Sequence, residues 1–266
     1  MKLTAIAFSM NGKVRKNNED GFFVHIDSTN SIFISSELYN ESTIYKSENI
    51  NTDTFLAFVI DGMGGMGDGD IARDVILQSL QTNISSIVNG EFVSAFDLLL
   101  LKANDFLLNV KKVNKYKDMG AVVSSGMFIN SNLHVSHIGD TRIYLLRNGN
   151  LSCLTEDHTY IANLIKSKKV SLEDAKKHPM RNMVLKSLGF DKEIQPDSFT
   201  FQTISGDQFL FLTDGVYGEL SDNEIESIFK TDKSLPEKVD DLLKAMSSTD
   251  CNDNYTGIIV QILDQS

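Results

Sequence analysis

Apolar and polar positions along the chain follow two rhythms. Short runs rich in Val, Ile, Leu, Phe and Tyr, several bounded by Gly, Asn or Asp, predict β-strands. They are Leu3–Phe8, Gly21–Ile26, Phe55–Ile60, Gly126–Ile129, Leu133–Ile138, Arg142–Leu146, Ser198–Thr203, Gln208–Leu212 and Tyr255–Leu263. Arg147–Asn150 contains Asn-Gly, which supplies the positive φ angles of a hairpin turn. Helical spacing predicts Asp70–Val88, with Ile71, Val75, Ile76 and Leu80 on one face, and Ser94–Val110, with Phe96, Leu99, Leu100, Phe106 and Leu107. Shorter helices are expected at Thr159–Lys166, Leu172–His178 and Leu235–Met246. Ser221 and Glu224 form a capping-box signal for a helix over Asn223–Phe229. Strands, two long helices, strands, short helices and strands again predict an α+β chain with mostly antiparallel sheets. The polar stretch Ser28–Thr54 reads as a long loop or irregular hairpin. Three prolines and no Pro/Gly/Ser-rich linker predict one domain over residues 1–266.

Charge narrows the functional classes. The chain carries 25 Lys+Arg against 36 Asp+Glu, a net charge of −11. Such a chain repels phosphate backbones and anionic bilayers, which argues against nucleic-acid or membrane-surface binding. No apolar run approaches the roughly 20 residues that span a bilayer, and the N-terminus shows no signal peptide. Cys153 and Cys251 are too few for a disulfide scaffold or a cysteine zinc site. A cytoplasmic location is expected.

Some of the acids occupy distinctive positions. Asp61 ends the apolar run Phe55–Ile60, Asp214 follows Gln208–Leu212 by two residues, and Asp253 precedes Tyr255–Leu263. A carboxylate at the edge of a buried strand bears a desolvation cost that a divalent cation relieves. Taken singly, each also reads as an ordinary turn aspartate. Gly62, Gly64 and Gly67 fit a dinucleotide fingerprint between a strand and a helix. That reading is disfavoured: no acid-ended strand follows at the required distance, and Asp61 would face the pyrophosphate. Arg15 lies four and five residues before Glu19 and Asp20, and an arginine is suited to a bidentate phosphate contact.

Together these segments resemble the metal-dependent protein phosphatases of type 2C, in their bacterial serine/threonine branch. The blocks run in order: Gly12–Arg15 through Asn18–Asp20, Asp61–Gly65, Met119–Val123, His137–Leu145, Leu154–His158, His178–Asn182 through Ser187–Gly189, Leu212–Val216 and Asp253–Thr256. The resemblance implies a four-layer αββα sandwich with a dinuclear metal site between its two sheets. It implies two Mn²⁺ or Mg²⁺ ions, with Asp61 as the bridging carboxylate and the Gly62 carbonyl completing one site. Asp214 and Asp253 would hold the other ion. Glu19 and Asp20 would act through metal-bound water, and Arg15 would grip the substrate phosphate. A metal-bridging hydroxide would then attack phosphoserine or phosphothreonine. Met63 stands where eukaryotic relatives carry a histidine, so water would protonate the leaving group. Asp140 is one expected ligand of a third ion, but its usual partner position is Gly218, beside Glu219, which leaves that ion in question.

The resemblance makes residues at about 155–190 a flap. Its Lys166, Lys168, Lys169, Lys176 and Lys177 read first as solvation and alternatively as docking of an acidic or phosphorylated segment. His134 and His137 read as structural strand residues, His158 as an orienting hydrogen-bond partner, and His25 gives no signal. The expected activity is a monomeric phosphoprotein phosphatase that opposes a serine/threonine kinase. The rivals are a catalytically silent binding module and a small-molecule phosphatase on the same scaffold.

Overall fold

Strand residues of alternate parity pack against different neighbours, and this sorts the chain into layers. The computed structural model describes residues 1–27, 32–35, 43–64, 67–84, 92–175 and 177–264. One six-stranded sheet runs β4 (Thr43–Asn51), β1 (Lys2–Met10), β12 (Tyr255–Ile262), β11 (Gln208–Leu212), β8 (Arg142–Arg147) and β9 (Asn150–Cys153). The second runs β10 (Asp197–Gln202), β7 (Asn132–Ile138), β6 (Gly120–Ile129), β5 (Thr54–Met63), β2 (Asp20–Asp27) and β3 (Ile32–Ser35). Every ladder pairing in both sheets is antiparallel.

Between the sheets lie Leu3, Ala5 and Ala7 of β1, Phe55, Ala57 and Val59 of β5, Phe209 and Phe211 of β11, and Ile258 and Val260 of β12. Phe128 anchors this layer, edge-on to Phe209 at 5.3 Å and to Phe211 at 6.3 Å. Truncating so enclosed a ring costs roughly 3–5 kcal/mol. The alternate positions Leu56, Phe58 and Ile60 face outward and pack beneath helices α1 (Gly69–Asn83) and α2 (Phe92–Asn114). On the other side Ile6, Phe8, Leu210, Leu212 and Ile259 pack beneath α5 (Asp214–Tyr217), α6 (Asp222–Phe229) and α7 (Leu235–Ser248). Helices α3 (Tyr160–Lys166) and α4 (Leu172–Ala175) belong to neither outer layer. The result is the expected αββα order.

All nine expected strands are present, and Ser221 and Glu224 close the expected capping box. Of the two readings of Ser28–Thr54, the long loop is corrected, and the antiparallel β2–β3 pair agrees with the irregular hairpin. Thr43–Asn51 is a nine-residue edge strand paired with β1, and Ile32–Ser35 is a strand paired with β2. An edge strand packs on one partner and tolerates Thr, Ser, Glu and Asn, which hid β4 from a hydrophobic pattern. Residues 28–31 and 36–42 of that stretch lie outside the described ones, as do 85–88 of the first expected helix. Strand β6 begins at Gly120, because Ser124 and Ser125 are buried as completely as their apolar neighbours. Cys251, expected in a polar loop, is buried in the core beneath α7. Both cysteines are free thiols. Among the described residues no helix is long and apolar enough to cross a membrane.

Candidate active site

Parity also aims the carboxylates. On β2, Phe22, Val24 and Ile26 face the inter-sheet layer, so Asp20 shares their face. On β5, Asp61 shares the face of Phe55, Ala57 and Val59. The two aspartates are direct cross-strand partners, Asp20↔Asp61, at the end where the sheets open into a cleft of about 1300 Å³. Arg15, Glu19, Asp61, Gly62, Asp140, Asp214 and Asp253 all line that cleft. Asp20 lies behind them, buried.

The opposite sheet supplies its own polar groups at the same end. Thr213 follows β11, and its Oγ1 donates to Asp20 Oδ2 across the layer at 2.7 Å. The Thr256 N–H donates to Thr213 Oγ1 at 2.9 Å, and Thr256 Oγ1 donates to Ser9 Oγ at 2.8 Å. Asn18 Nδ2 also donates to Ser9 Oγ at 2.8 Å. Asn254 ties three segments together: its Oδ1 accepts from the Glu19 N–H at 2.8 Å, and its Nδ2 donates to the carbonyls of Asn11 and Asn17 at 3.0 and 3.1 Å. From α1, the buried Arg73 donates to the backbone carbonyl of Asn18. Buried donors and acceptors satisfied in this way fix the turn that carries Arg15, Glu19 and Asp20.

Two glycines permit the close approach. Gly12 has φ +70°, and a Cβ there would lie 2.1 Å from the Asp253 carbonyl oxygen. A Cβ on Gly62 would lie 2.0 Å from the Gly69 carbonyl oxygen and 2.7 Å from that of Glu19. Side chains at either position would push apart the turns that bear the acids.

The electrostatics are those of crowded anions. Burial first, then Asp20 and Asp214, hold the Asp61 carboxyl well above its usual range. Burial and neighbouring Asp214 push Asp20 up to about 8, partly offset by the Thr213 hydrogen bond. Burial, Asp214 and Asp157 push Asp140 up to about 7, and burial with Asp253 pushes Asp214 up to about 6. Burial raises Glu19, against the pull of Arg15. Arg15 Nη2 meets Asp253 Oδ1 at 2.9 Å and Oδ2 at 3.1 Å, while its Nη1 lies 3.5 Å from Glu19 Oε2. So many raised carboxylates in one cleft, with only oxygen donors, suit a hard divalent cation in charge and in chemistry. Among the described residues no three acidic, histidine or cysteine side chains converge closely enough to enclose one ion. The Asp253 carboxylate is turned onto Arg15, and Asp20 onto Thr213.

Asp140 sits in a second cluster. Tyr217 Oη donates to its backbone carbonyl at 2.6 Å, and the Arg142 guanidinium stacks 3.9 Å above the Tyr217 ring while gripping Asp157 at 2.9 and 2.7 Å. Gly218, where the resemblance expects the partner acid of a third ion, carries no side chain, and its neighbour Glu219 lines the same cleft as Asp140. His158 orients this loop as expected: its Nδ1 accepts from the Gly139 N–H at 3.0 Å, and its Nε2 lies 3.1 Å from Asp197. His137 is buried between Ser124 and the Glu156 carbonyl, and burial with neighbouring His158 pushes it down to about 4. The residues that lay beyond reach of the sequence are Thr213, Asn254, Thr256 and Ser9. Thr213, Asn254 and Thr256 lay inside the family blocks Leu212–Val216 and Asp253–Thr256 without an assigned role, and Ser9 had no signal beyond polarity at the end of an apolar strand.

A profile of the protein phosphatase 2C family matches residues 43–256. Protein phosphatase PhpP of Streptococcus pneumoniae is 30% identical over 212 residues, spanning 78% of this chain and 85% of that protein. Serine/threonine phosphatase stp of Listeria welshimeri is 28% identical over 211 residues, spanning 77% and 84%. The solved catalytic domain of serine threonine protein phosphatase PstP, in complex with two manganese ions, superposes with a TM-score of 0.78. It is 23% identical and covers 99% of each chain. The chain belongs to the protein phosphatase 2C family.

Proposed function

We propose that this chain is a metal-dependent serine/threonine protein phosphatase whose site is the acidic cleft at the open end of the inter-sheet layer. The carrying observation is the placement of Asp61, Asp214 and Asp253 around one cleft, with Arg15 at its rim. Asp61, the Gly62 carbonyl, Asp214 and Asp253 are the groups assigned to hold two Mn²⁺ or Mg²⁺ ions. Bound there, the ions supply Lewis-acid stabilisation and activate water. Glu19 and Asp20, anchored through Asn254 and Thr213, orient the solvent shell. Arg15 exchanges its contact with Asp253 for the phosphoryl oxygens of the substrate. It then neutralises charge that spreads over those oxygens in the transition state. The described lining of the cleft contains no histidine, and we assign the proton for the leaving alkoxide to water.

The family match, the relatives named phosphatases and the donor chemistry all support this reading. We also assign residues 1–266 to a single domain with a flap at about 155–190, acting on phosphoserine and phosphothreonine proteins in the reducing cytoplasm. Two free thiols suit that compartment.

The test is hydrolysis of p-nitrophenyl phosphate and of a phosphothreonine peptide, with Mn²⁺ and with EDTA. Turnover that requires Mn²⁺ is expected. Equal rates in both conditions would overturn the reading, and phosphopeptide binding without turnover at saturating Mn²⁺ would mark a silent binding module.

A further inference from the structure

The flap folds on itself above the cleft. Its root is closed by a bridge between Thr159 and Val184 and by hydrogen bonds from the Tyr160 N–H to the Met183 carbonyl (2.9 Å) and from the Leu185 N–H to the His158 carbonyl (2.8 Å). Its charge is opposite to that of the molecule. Residues 159–186 contain seven Lys or Arg against two Asp or Glu, a net of +5, while the remainder of the chain carries −16.

Two of these cations are used locally. Lys166 pairs with Glu156 at 2.8 Å and Lys186 with Asp197 at 2.7 Å. Lys168, Lys169, Lys177 and Arg181 are exposed and make no ion pair among the described residues. Lys168 stands at φ +56°, a left-handed position after α3 that glycine or asparagine fills with less strain. Exposed Met180, Met183 and Leu185 lie on the same segment and offer apolar contact beside the charges.

The flap also forms one wall of the cleft, through Ile161, Ile165, Arg181 and Val184. The lining also includes Glu219, Asp222 and Glu224, outside the flap. A phosphorylated residue seated at the cleft floor therefore has on one hand a flap that brings Arg181 into the lining and carries Lys168, Lys169 and Lys177 on exposed positions outside it, and on the other the acids at 219–224. An acidic flanking segment is repelled by the second and drawn to the first, which sets the side on which it leaves.

Resting on the phosphatase reading above, we propose that the flap is a docking surface for an Asp/Glu-rich segment flanking the phosphorylated residue of the substrate. Lys168, Lys169, Lys177 and Arg181 are its specificity-determining cations. They act on substrate affinity and not on the phosphoryl-transfer step, so their effect belongs in KM.

The test compares phosphothreonine peptides of one length whose flanks are glutamate, alanine or lysine. Steady-state kcat/KM is measured with Mn²⁺ on the full chain and on the K168A/K169A/K177A triple variant, with p-nitrophenyl phosphate as the flank-free substrate. Wild type is expected to prefer the glutamate-flanked peptide over the alanine-flanked one by about five- to tenfold at low salt, through KM. The triple variant is expected to bring that ratio near one, and added salt is expected to compress it in wild type. A wild-type ratio near one, a preference for lysine flanks, or an undiminished ratio in the triple variant would overturn the proposal. Failure to hydrolyse p-nitrophenyl phosphate or any peptide would overturn the phosphatase reading instead. In that event fluorescence anisotropy of the labelled peptides still decides the docking proposal, because the same ordering of affinities is required.

Discussion

The cleft has a floor and a flap, and they are held by different physics. The floor is built by long-range pairing: Asp20 and Asp61 face each other across a ladder, and Thr213 reaches Asp20 from a position 193 residues away in sequence. Its acids are surrounded by a layer of fully buried Phe, Leu and Ile side chains. The flap is built by short-range contacts. Helix α3 has no buried residue, and the segment is tied down at its root by backbone hydrogen bonds. Burial makes the floor rigid enough to hold like charges together. Its scarcity leaves the flap at the low-stability end of the molecule, where recognition surfaces commonly sit. Chemistry needs the first property, and adaptation to protein substrates uses the second.

The largest effect is expected from Asp61→Asn. Removing a floor carboxylate should drop Mn²⁺-dependent turnover below about 1% of wild type, a larger loss than that from an outer-shell partner. Without metal it should raise the urea midpoint, because one source of repulsion is gone. A variant that keeps full turnover would show that the floor is not the site. Thr213→Val leaves the buried Asp20 carboxylate without its cross-sheet donor. It should weaken Mn²⁺ binding by about tenfold to a hundredfold in calorimetric titration. An unchanged affinity would mean that the latch is structural only.

His137 offers a pH test away from the carboxylates. Its folded-state value of about 4 lies below that of the free side chain at 6.5. Its contribution to stability is therefore complete above pH 6.5 and is lost as pH falls toward 4. Between pH 6.5 and 5 the loss attributable to this group is about 1–2 kcal/mol. His137→Gln should remove that loss, leaving the urea midpoint at pH 5 higher relative to that at pH 6.5 than in wild type, and an unaltered slope would refute the assignment. The smallest effect is expected from His158→Ala, which removes the Gly139 contact at the flap root. Hydrogen exchange should quicken through residues 159–186 and stay unchanged in β5 and β6. Turnover should change by only a few-fold. Uniform quickening in both regions would erase the distinction between floor and flap.

Much of this was legible in one dimension, for reasons particular residues make plain. Phe55–Ile60 is apolar throughout, so its strand character and the position of Asp61 at its end were legible, while the facing of Asp61 toward the inter-sheet layer came from the structure. Ser221 and Glu224 announce a helix start within four residues. The family resemblance then attached roles to Arg15, Asp61, Asp214 and Asp253, which local pattern could mark only as acids and a cation in unusual positions. Strand β4 escaped because an edge strand shares its polar composition with loops. Cys251 escaped because a loop residue can be buried by a helix that arrives from elsewhere.

By itself the sequence determined where most strands and helices lie and which carboxylates stand at strand ends. These properties depend on residues a few positions apart, whose side-chain directions follow from backbone geometry. Only the tertiary structure decided that Thr213, Asn254 and Ser9 become partners of Asp20, Glu19 and Asn18, and that Asp253 is turned onto Arg15. Those contacts exist because burying two sheets against each other outweighs the repulsion and desolvation of the acids carried to their open end. That balance is settled between segments some two hundred residues apart.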